Sequence, residues 1–281
     1  MESYQQTYEK LSLLGEGGMG KVYLVRHRRL GVLRAMKTVR KDDETKLPAE
    51  VDILKNLDQQ RLPRLHDIYL DDQNIQIIQD YVEGISAKEG LARDGRFDEA
   101  HVRKWAGQLC EALKYLHTRK PPIIHRDIKP GNIMITPEGD IKLIDFGIAK
   151  EYIRDSNDQS ESLGTRGYAA PEQFTAAPTD ARTDIYSLGV TLYHMITGKG
   201  PYDPPYEIRP IREWNRSYSE GMEYIIQKCT QLDPRRRYQS IDELQRDLDN
   251  IDNFGNMRER RRRIERLKLT GCFIIFALGV F

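Results

Sequence analysis

HRDIKPGN, residues 125–132, and DFG, residues 145–147, decide how this chain is read. Asp127, Lys129 and Asn132 place an acid, a cation and an amide oxygen within six residues, in a stretch that Pro130 and Gly131 keep from continuing as a helix. Asp145 ends the apolar run DIKLIDF, residues 140–146, which reads as a strand. Two oxygen donors, Asn132 and Asp145, suit Mg2+, a hard cation that accepts few protein ligands and takes the rest of its shell from phosphate and water. An ordinary solvated loop has no use for this combination.

Upstream, YEKLSLLGEGGMGKVYLVRH, residues 8–27, reads as strand, glycine turn, strand. Its glycines, Gly15-x-Gly17-x-x-Gly20-x-Val22, let backbone N–H groups approach phosphate oxygens closely. A dinucleotide-binding turn has the same glycine spacing but opens a helix, whereas KVYLVRH is β-like. Lys37 ends the apolar part of a third strand, VLRAMKTVR, residues 32–40. Residues 48–57 carry Val51, Leu54 and Leu57 at helical spacing, and Glu50 in this helix is positioned to pair with Lys37, with Glu44 the alternative. IQIIQDYV, residues 75–82, reads as a buried strand.

Downstream the period becomes helical. In residues 97–117, Val102, Trp105, Leu109, Leu113 and Leu116 recur every three or four positions behind Asp98 as N-cap. Further helical patterns cover 183–197, 220–232 and 240–250, while 151–164 has no apolar periodicity and reads as a surface loop. A small strand-rich lobe followed by a larger helical lobe is the expected architecture.

With these motifs in order, and APE at 170–172 behind them, the chain resembles a eukaryotic-type (Hanks-type) protein kinase, and in particular the bacterial receptor-type Ser/Thr protein kinases, from about Tyr8 to Asn250. The resemblance implies an α+β bilobal fold, with an ATP-binding lobe at 1–83 and a catalytic, substrate-binding lobe at 84–256. It implies Asp127, Lys129 and Asn132 as catalytic residues, with Asn132 and Asp145 holding Mg2+, or Mn2+ in its place. For ATP it implies a cofactor-binding set that begins at Leu14, with Gly15, Gly17 and Gly20 over the phosphates, Val22 and Ala35 above the adenine and Met134 below it. Asp80 and Val82 would serve the base through their backbone, Gln79 would stand behind it, and Lys37, oriented by Glu50, would meet the phosphates. Glu172 would pair with Arg237, and Asp184 would anchor the HRD loop. Lys129 and the GTRGYAAPE run, with Thr165 in it, are the Ser/Thr type of signature. The sequence departs from the family pattern in LRAMK, where VAIK is commoner, and in the long turn DQQRLPRL at 58–65, which loosens the placement of Glu50.

Arg126, just before Asp127, implies phosphate pairing with the activation loop, whose acceptors are Ser156, Ser160, Ser162 and Thr165. Transfer between molecules would need a homodimer at least transiently. Two other classes compete. A pseudokinase scaffold would bind nucleotide without turnover, but Lys37, Asp127, Asn132 and Asp145 are all present. A small-molecule kinase would have no need of the peptide-docking run around APE.

Composition adds the surroundings. The 281 residues are 39% hydrophobic and 31% charged, with a net charge of +1, which describes a folded chain and not a disordered one. The balance is uneven. MRERRRRIERLK, residues 257–268, carries seven basic and two acidic residues, so the remainder, 37 basic against 41 acidic, is an acidic body. TGCFIIFALGVF follows without a charge; its twelve residues fall short of the ~20 that a spanning helix needs. A basic juxtamembrane segment at 257–269 and the start of a transmembrane helix at 270–281 are expected, with lipid favoured over nucleic acid as partner. The opening MESYQQTYEK has no signal-peptide pattern, so the catalytic body is expected in the cytoplasm at the plasma membrane. Cys110, Cys229 and Cys272 are few, odd and scattered, which argues against a disulfide framework or zinc site.

Overall fold

The computed structural model describes residues 4–17, 20–40, 57–145, 167–175 and 177–254. A short helix α1 (Tyr4–Thr7) leads into a five-stranded antiparallel sheet of β1 (Tyr8–Gly17), β2 (Gly20–His27), β3 (Leu33–Arg40), β4 (Leu65–Leu70) and β5 (Asn74–Asp80), in the order β1-β2-β3-β5-β4. Its small apolar cluster is Tyr8, Val25, Met36 and Ile78, one residue from each of four strands, which is why the alternating sequences can bury one face. Gly20 has φ 113°, and a Cβ there would lie 2.0 Å from the Thr38 carbonyl oxygen, so the hairpin can close against β3 only with glycine.

β6 (Ile85–Ser86), β7 (Ile133–Ile135) and β8 (Ile141–Leu143) form a second, three-stranded antiparallel sheet. Around it stand α2 (Ala87–Asp94), α3 (Glu99–His117), α4 (Ala181–Thr197), α5 (Ile211–Trp214), α6 (Glu220–Cys229) and α7 (Ile241–Asp249). The Asp98 side chain accepts the His101 N–H, as an N-cap does, and the predicted stripe of α3 is buried at all five positions. In α4, thirteen of seventeen residues are buried, so this helix is surrounded by the others and not laid on them. Burying each Leu, Ile or Met side chain there contributes about 2 kcal/mol.

The expected strands and the helices expected beyond residue 97 are present with shifted ends: 183–197 begins at Ala181, 220–232 ends at Cys229, and 240–250 spans Ile241–Asp249. β8 is the strand read at 140–146, whereas the sequence pattern does not mark β4, β6, β7 or α2. Leu65–Leu70 is half-buried at every position and shows no alternation, and β6 and β7 are two or three residues each, too short for a period. The strand expected to end at Asp145 stops at Leu143, because the Ile144 N–H turns to the Asn132 carbonyl at 2.8 Å. The helical stripe at 48–57 lies outside the described residues except for Leu57, which is buried in the helical lobe's core together with Leu62 of the DQQRLPRL turn. Glu44, Glu50 and the loop 151–164 also lie outside them, as do Thr165 and residues 257–281. Cys110 and Cys229 are free and buried. Among the described residues no helix is long and apolar enough to cross a membrane.

Candidate active site

Asp127 lies in the coil between α3 and β7, and it is buried. Its carboxylate accepts from Lys129 Nζ at 2.8 Å and from Asn132 Nδ2 at 3.0 Å, and the same amide nitrogen reaches the Asp127 carbonyl at 2.8 Å. Asn132 therefore spends its nitrogen on the loop, which leaves its amide oxygen as the atom to offer a cation. The 3-10 turn Pro130–Asn132 keeps this spacing because Pro130 needs no N–H donor at its start.

The loop is held in an unfavourable backbone shape. Arg126 has φ 65°, a left-handed value that costs a non-glycine residue on the order of 1 kcal/mol. Asp184, wholly buried near the start of α4, offsets that cost. One of its oxygens accepts the Arg126 N–H at 2.7 Å; the other accepts the His125 N–H at 2.8 Å and faces His117 Nε2 at 2.8 Å. Two charge-assisted bonds to adjacent amides fix the peptide planes leading to Asp127. Burial pushes the His125 imidazole below its ordinary pKa, so it stands neutral beside them.

The two lobes meet at Lys37 and Asp145, whose ammonium and carboxylate are in direct contact. Asp145 also has a positive φ, 62°. Lys37 is buried in β3, paired across the sheet with Val22 of β2 and Ile77 of β5; Ala35 is likewise paired with Leu24 and with Gln79. Leu14, Gly15 and Gly17 lie on β1 and Gly20 begins β2, with Gly15 opposite Val22 and Gly17 opposite Gly20. Met134 is in β7, opposite Ser86 of β6 and Lys142 of β8. Asp80 ends β5, and its N–H goes to the Arg64 carbonyl; burial would raise its carboxyl, but the bonds that the carboxylate receives from His66 and the Arg64 N–H hold it below the usual range. Val82 follows it in coil, half-buried.

Glu172, in the 3-10 turn Pro171–Phe174, meets Arg237 and Thr183. Thr179 and Gln173 also meet Arg126 of the HRD loop, and His117 meets its anchor Asp184; no pattern in the sequence marks them for it. Among the described residues no group of three or more His, Cys, Asp or Glu is placed to hold a metal by itself.

The protein kinase domain model matches residues 8–247 of this sequence. The chain belongs to the protein kinase domain family. The kinase domain is 33% identical over 268 residues to a probable serine/threonine-protein kinase of Clostridium perfringens, covering 89% of this chain and 39% of that protein. It is 30% identical over 276 residues to the serine/threonine-protein kinase PrkC of Bacillus subtilis, covering 92% of this chain and 42% of that one. The kinase domain thus spans less than half the length of these relatives.

Proposed function

We propose that this kinase domain transfers the γ-phosphoryl group of ATP to serine and threonine hydroxyls of proteins. The observation that carries the reading is Asp127, buried at the end of a strained loop with Lys129 and Asn132 bonded to its carboxylate. In the reaction a substrate hydroxyl oxygen forms a bond to the γ-phosphorus while the bond to the ADP oxygen breaks. Asp127 accepts or orients the hydroxyl proton, and Lys129 neutralises charge on the transferring group. These roles need position and charge more than covalent chemistry.

A divalent cation, Mg2+ or Mn2+, neutralises phosphate charge when bound. The donor set fits it: Asn132 and Asp145 supply two oxygens, few enough for an ion that takes the rest from phosphate and water. Lys37 is suited to the α- and β-phosphates, and its contact with Asp145 sets the two opposite charges side by side between the lobes. Leu14, Val22, Ala35 and Met134 would enclose the adenine. At Asp80 the N–H is already spent, so the base would be met by its carbonyl or by the backbone of Val82.

The same reading covers what lies outside the described residues. Glu50 would orient Lys37, lobes divided at 83/84 would close on the nucleotide, and Ser156, Ser160, Ser162 and Thr165 would take phosphate from a second copy. The basic segment 257–269 and the apolar start at 270–281 would tether the domain to the cytoplasmic face of a membrane, where each basic residue adds ~1 kcal/mol of attraction to anionic lipid.

The test is transfer from radiolabelled Mg-ATP to a general protein substrate by the 281-residue chain, beside Lys37→Met and Asp127→Asn. Loss of transfer in both folded variants is expected; undiminished activity in Asp127→Asn overturns the assignment. Mass spectrometry of the active chain is expected to find phosphate on the loop, and membrane fractionation in cells to find the chain with lipid.

A further inference from the structure

Gln173 joins two parts of the site that the sequence does not connect. In the turn Pro171–Phe174 its Oε1 accepts the Ala170 N–H at 2.9 Å, and its Nε2 donates to the carbonyl oxygen of Arg126 at 3.0 Å. The partners force this orientation of the amide, since an N–H can only donate and a carbonyl can only accept. We propose that Gln173 is a positioning residue, which ties the segment carrying the APE run to the peptide bond that leads into Asp127. The inference deepens the kinase reading and rests on it.

The argument turns on what holds Arg126. Its φ of 65° is unfavourable for a side-chain-bearing residue, so the loop keeps this shape only while its neighbours enforce it. Asp184 grips the N–H groups of His125 and Arg126, on the near side of the strained residue. On the far side is the plane shared by the Arg126 carbonyl and the Asp127 N–H, and rotating that plane swings the catalytic carboxylate. The Asp127 N–H lies 3.3 Å from His125 Nδ1. Of these two contacts the Gln173 amide, at 3.0 Å, is the shorter.

The other end of the tether is firm. Glu172, the preceding residue, is fixed by Arg237 and by the Thr183 hydroxyl at 2.9 Å. Upstream the Gly167 N–H donates to the Tyr202 hydroxyl at 2.6 Å, and Tyr168 meets His194 at 2.5 Å. A Cβ on Gly167 would approach Pro201 to 2.6 Å, so this segment lies directly against the loop after α4. A peptide docked on this segment would therefore act on Asp127 through one amide, and a disturbed segment would misplace the same carboxylate.

Gln173→Glu separates the two bonds. It keeps an acceptor for the Ala170 N–H at constant volume and sets an oxygen against the Arg126 carbonyl where the donor stood. Gln173→Met removes the donor without adding charge. Both are measured as the full chain by kcat and KM for a protein substrate, KM for ATP and thermal melting. Expected is a fall in kcat of roughly tenfold to a hundredfold in both variants, with the KM for ATP unchanged. A kcat equal to the parent's in either variant, at a retained melting temperature, overturns the role; so does a loss of activity that only follows a loss of folded protein. If the parent chain itself shows no Asp127-dependent transfer, the kinase reading falls and takes the role with it. An active parent with unaffected variants removes the role of Gln173 alone.

Discussion

Arg237 and Glu172, 65 residues apart in the chain, meet as a two-pronged pair, Nη1 to Oε1 at 2.7 Å and Nη2 to Oε2 at 2.9 Å. The Arg237 side chain is fully buried, and it also donates to the carbonyls of Arg182, Gln231 and Leu232. Burial alone would raise the Glu172 pKa, but Arg237 and Thr183 outweigh it and hold the carboxyl below its ordinary range. Removing one partner leaves the other as an uncompensated buried charge. Glu172→Ala is therefore expected to cost about 3–5 kcal/mol in denaturant unfolding, with Glu172→Gln milder. Replacing both residues by apolar ones should recover much of that loss.

Asp184→Asn tests the anchor of the HRD loop. A carboxylate offers one oxygen to each of the His125 and Arg126 N–H groups, whereas an asparagine offers only one oxygen in all. One buried N–H then faces an NH2 group, at a cost of about 1–3 kcal/mol, and the strained Arg126 is free to relax. Transfer should fall on the order of a hundredfold through the displaced Asp127, measured as kcat on a protein substrate.

The long turn DQQRLPRL ties the lobes through Arg61. Its guanidinium meets Asp140 at 2.9 Å and Glu111 at 3.3 Å, and its carbonyl accepts the Leu143 N–H at 2.8 Å. Lys104, Gln108 and Arg61 together hold Asp140 well below the usual carboxylate range. Because Asp140 is about one-third exposed, a double-mutant cycle of Arg61→Ala with Asp140→Ala should give a coupling under about 1 kcal/mol, and less again in 1 M salt.

His125 and His194 both have pKa values lowered by burial from an ordinary 6.5. Below pH 6.5 the unfolded chain takes up protons that these rings refuse in the folded state, so stability is present above that pH and is lost as pH falls toward the folded values. Each ring adds at most about 1.4 kcal/mol per pH unit to the slope. Unfolding free energies measured from pH 7.5 to 5 should fall more shallowly in His125→Phe than in the parent; equal slopes would remove the assignment of His125.

Several of these relationships could be anticipated from the linear sequence and others could not. The 3.6-residue stripe of α3 predicts its buried face, since one helix face must be apolar whatever packs on it. HRD, Asn132 and DFG were legible because their chemistry needs those residue types at fixed spacing. The Glu172–Arg237 and Asp184 contacts followed from the family resemblance, not from any local pattern. β6, β7 and the role of α2 were not legible, because strands of two or three residues carry no period and are defined only by what pairs with them; β4, six residues half-buried throughout, shows no alternation to mark a face.

By itself, then, the sequence determined the local chemistry: which residues donate, accept or carry charge, where glycine or proline permits a turn, and which faces are apolar. Only the tertiary structure decided that Lys37 meets Asp145 across 108 positions, and that Gln173 reaches the Arg126 carbonyl across 47. It also decided that a residue without glycine's freedom should hold a positive φ just before Asp127. The physical reason is that such a conformation is unfavourable locally and persists only where distant groups, here Asp184 and Gln173, are brought together by the packing of α4 to hold it.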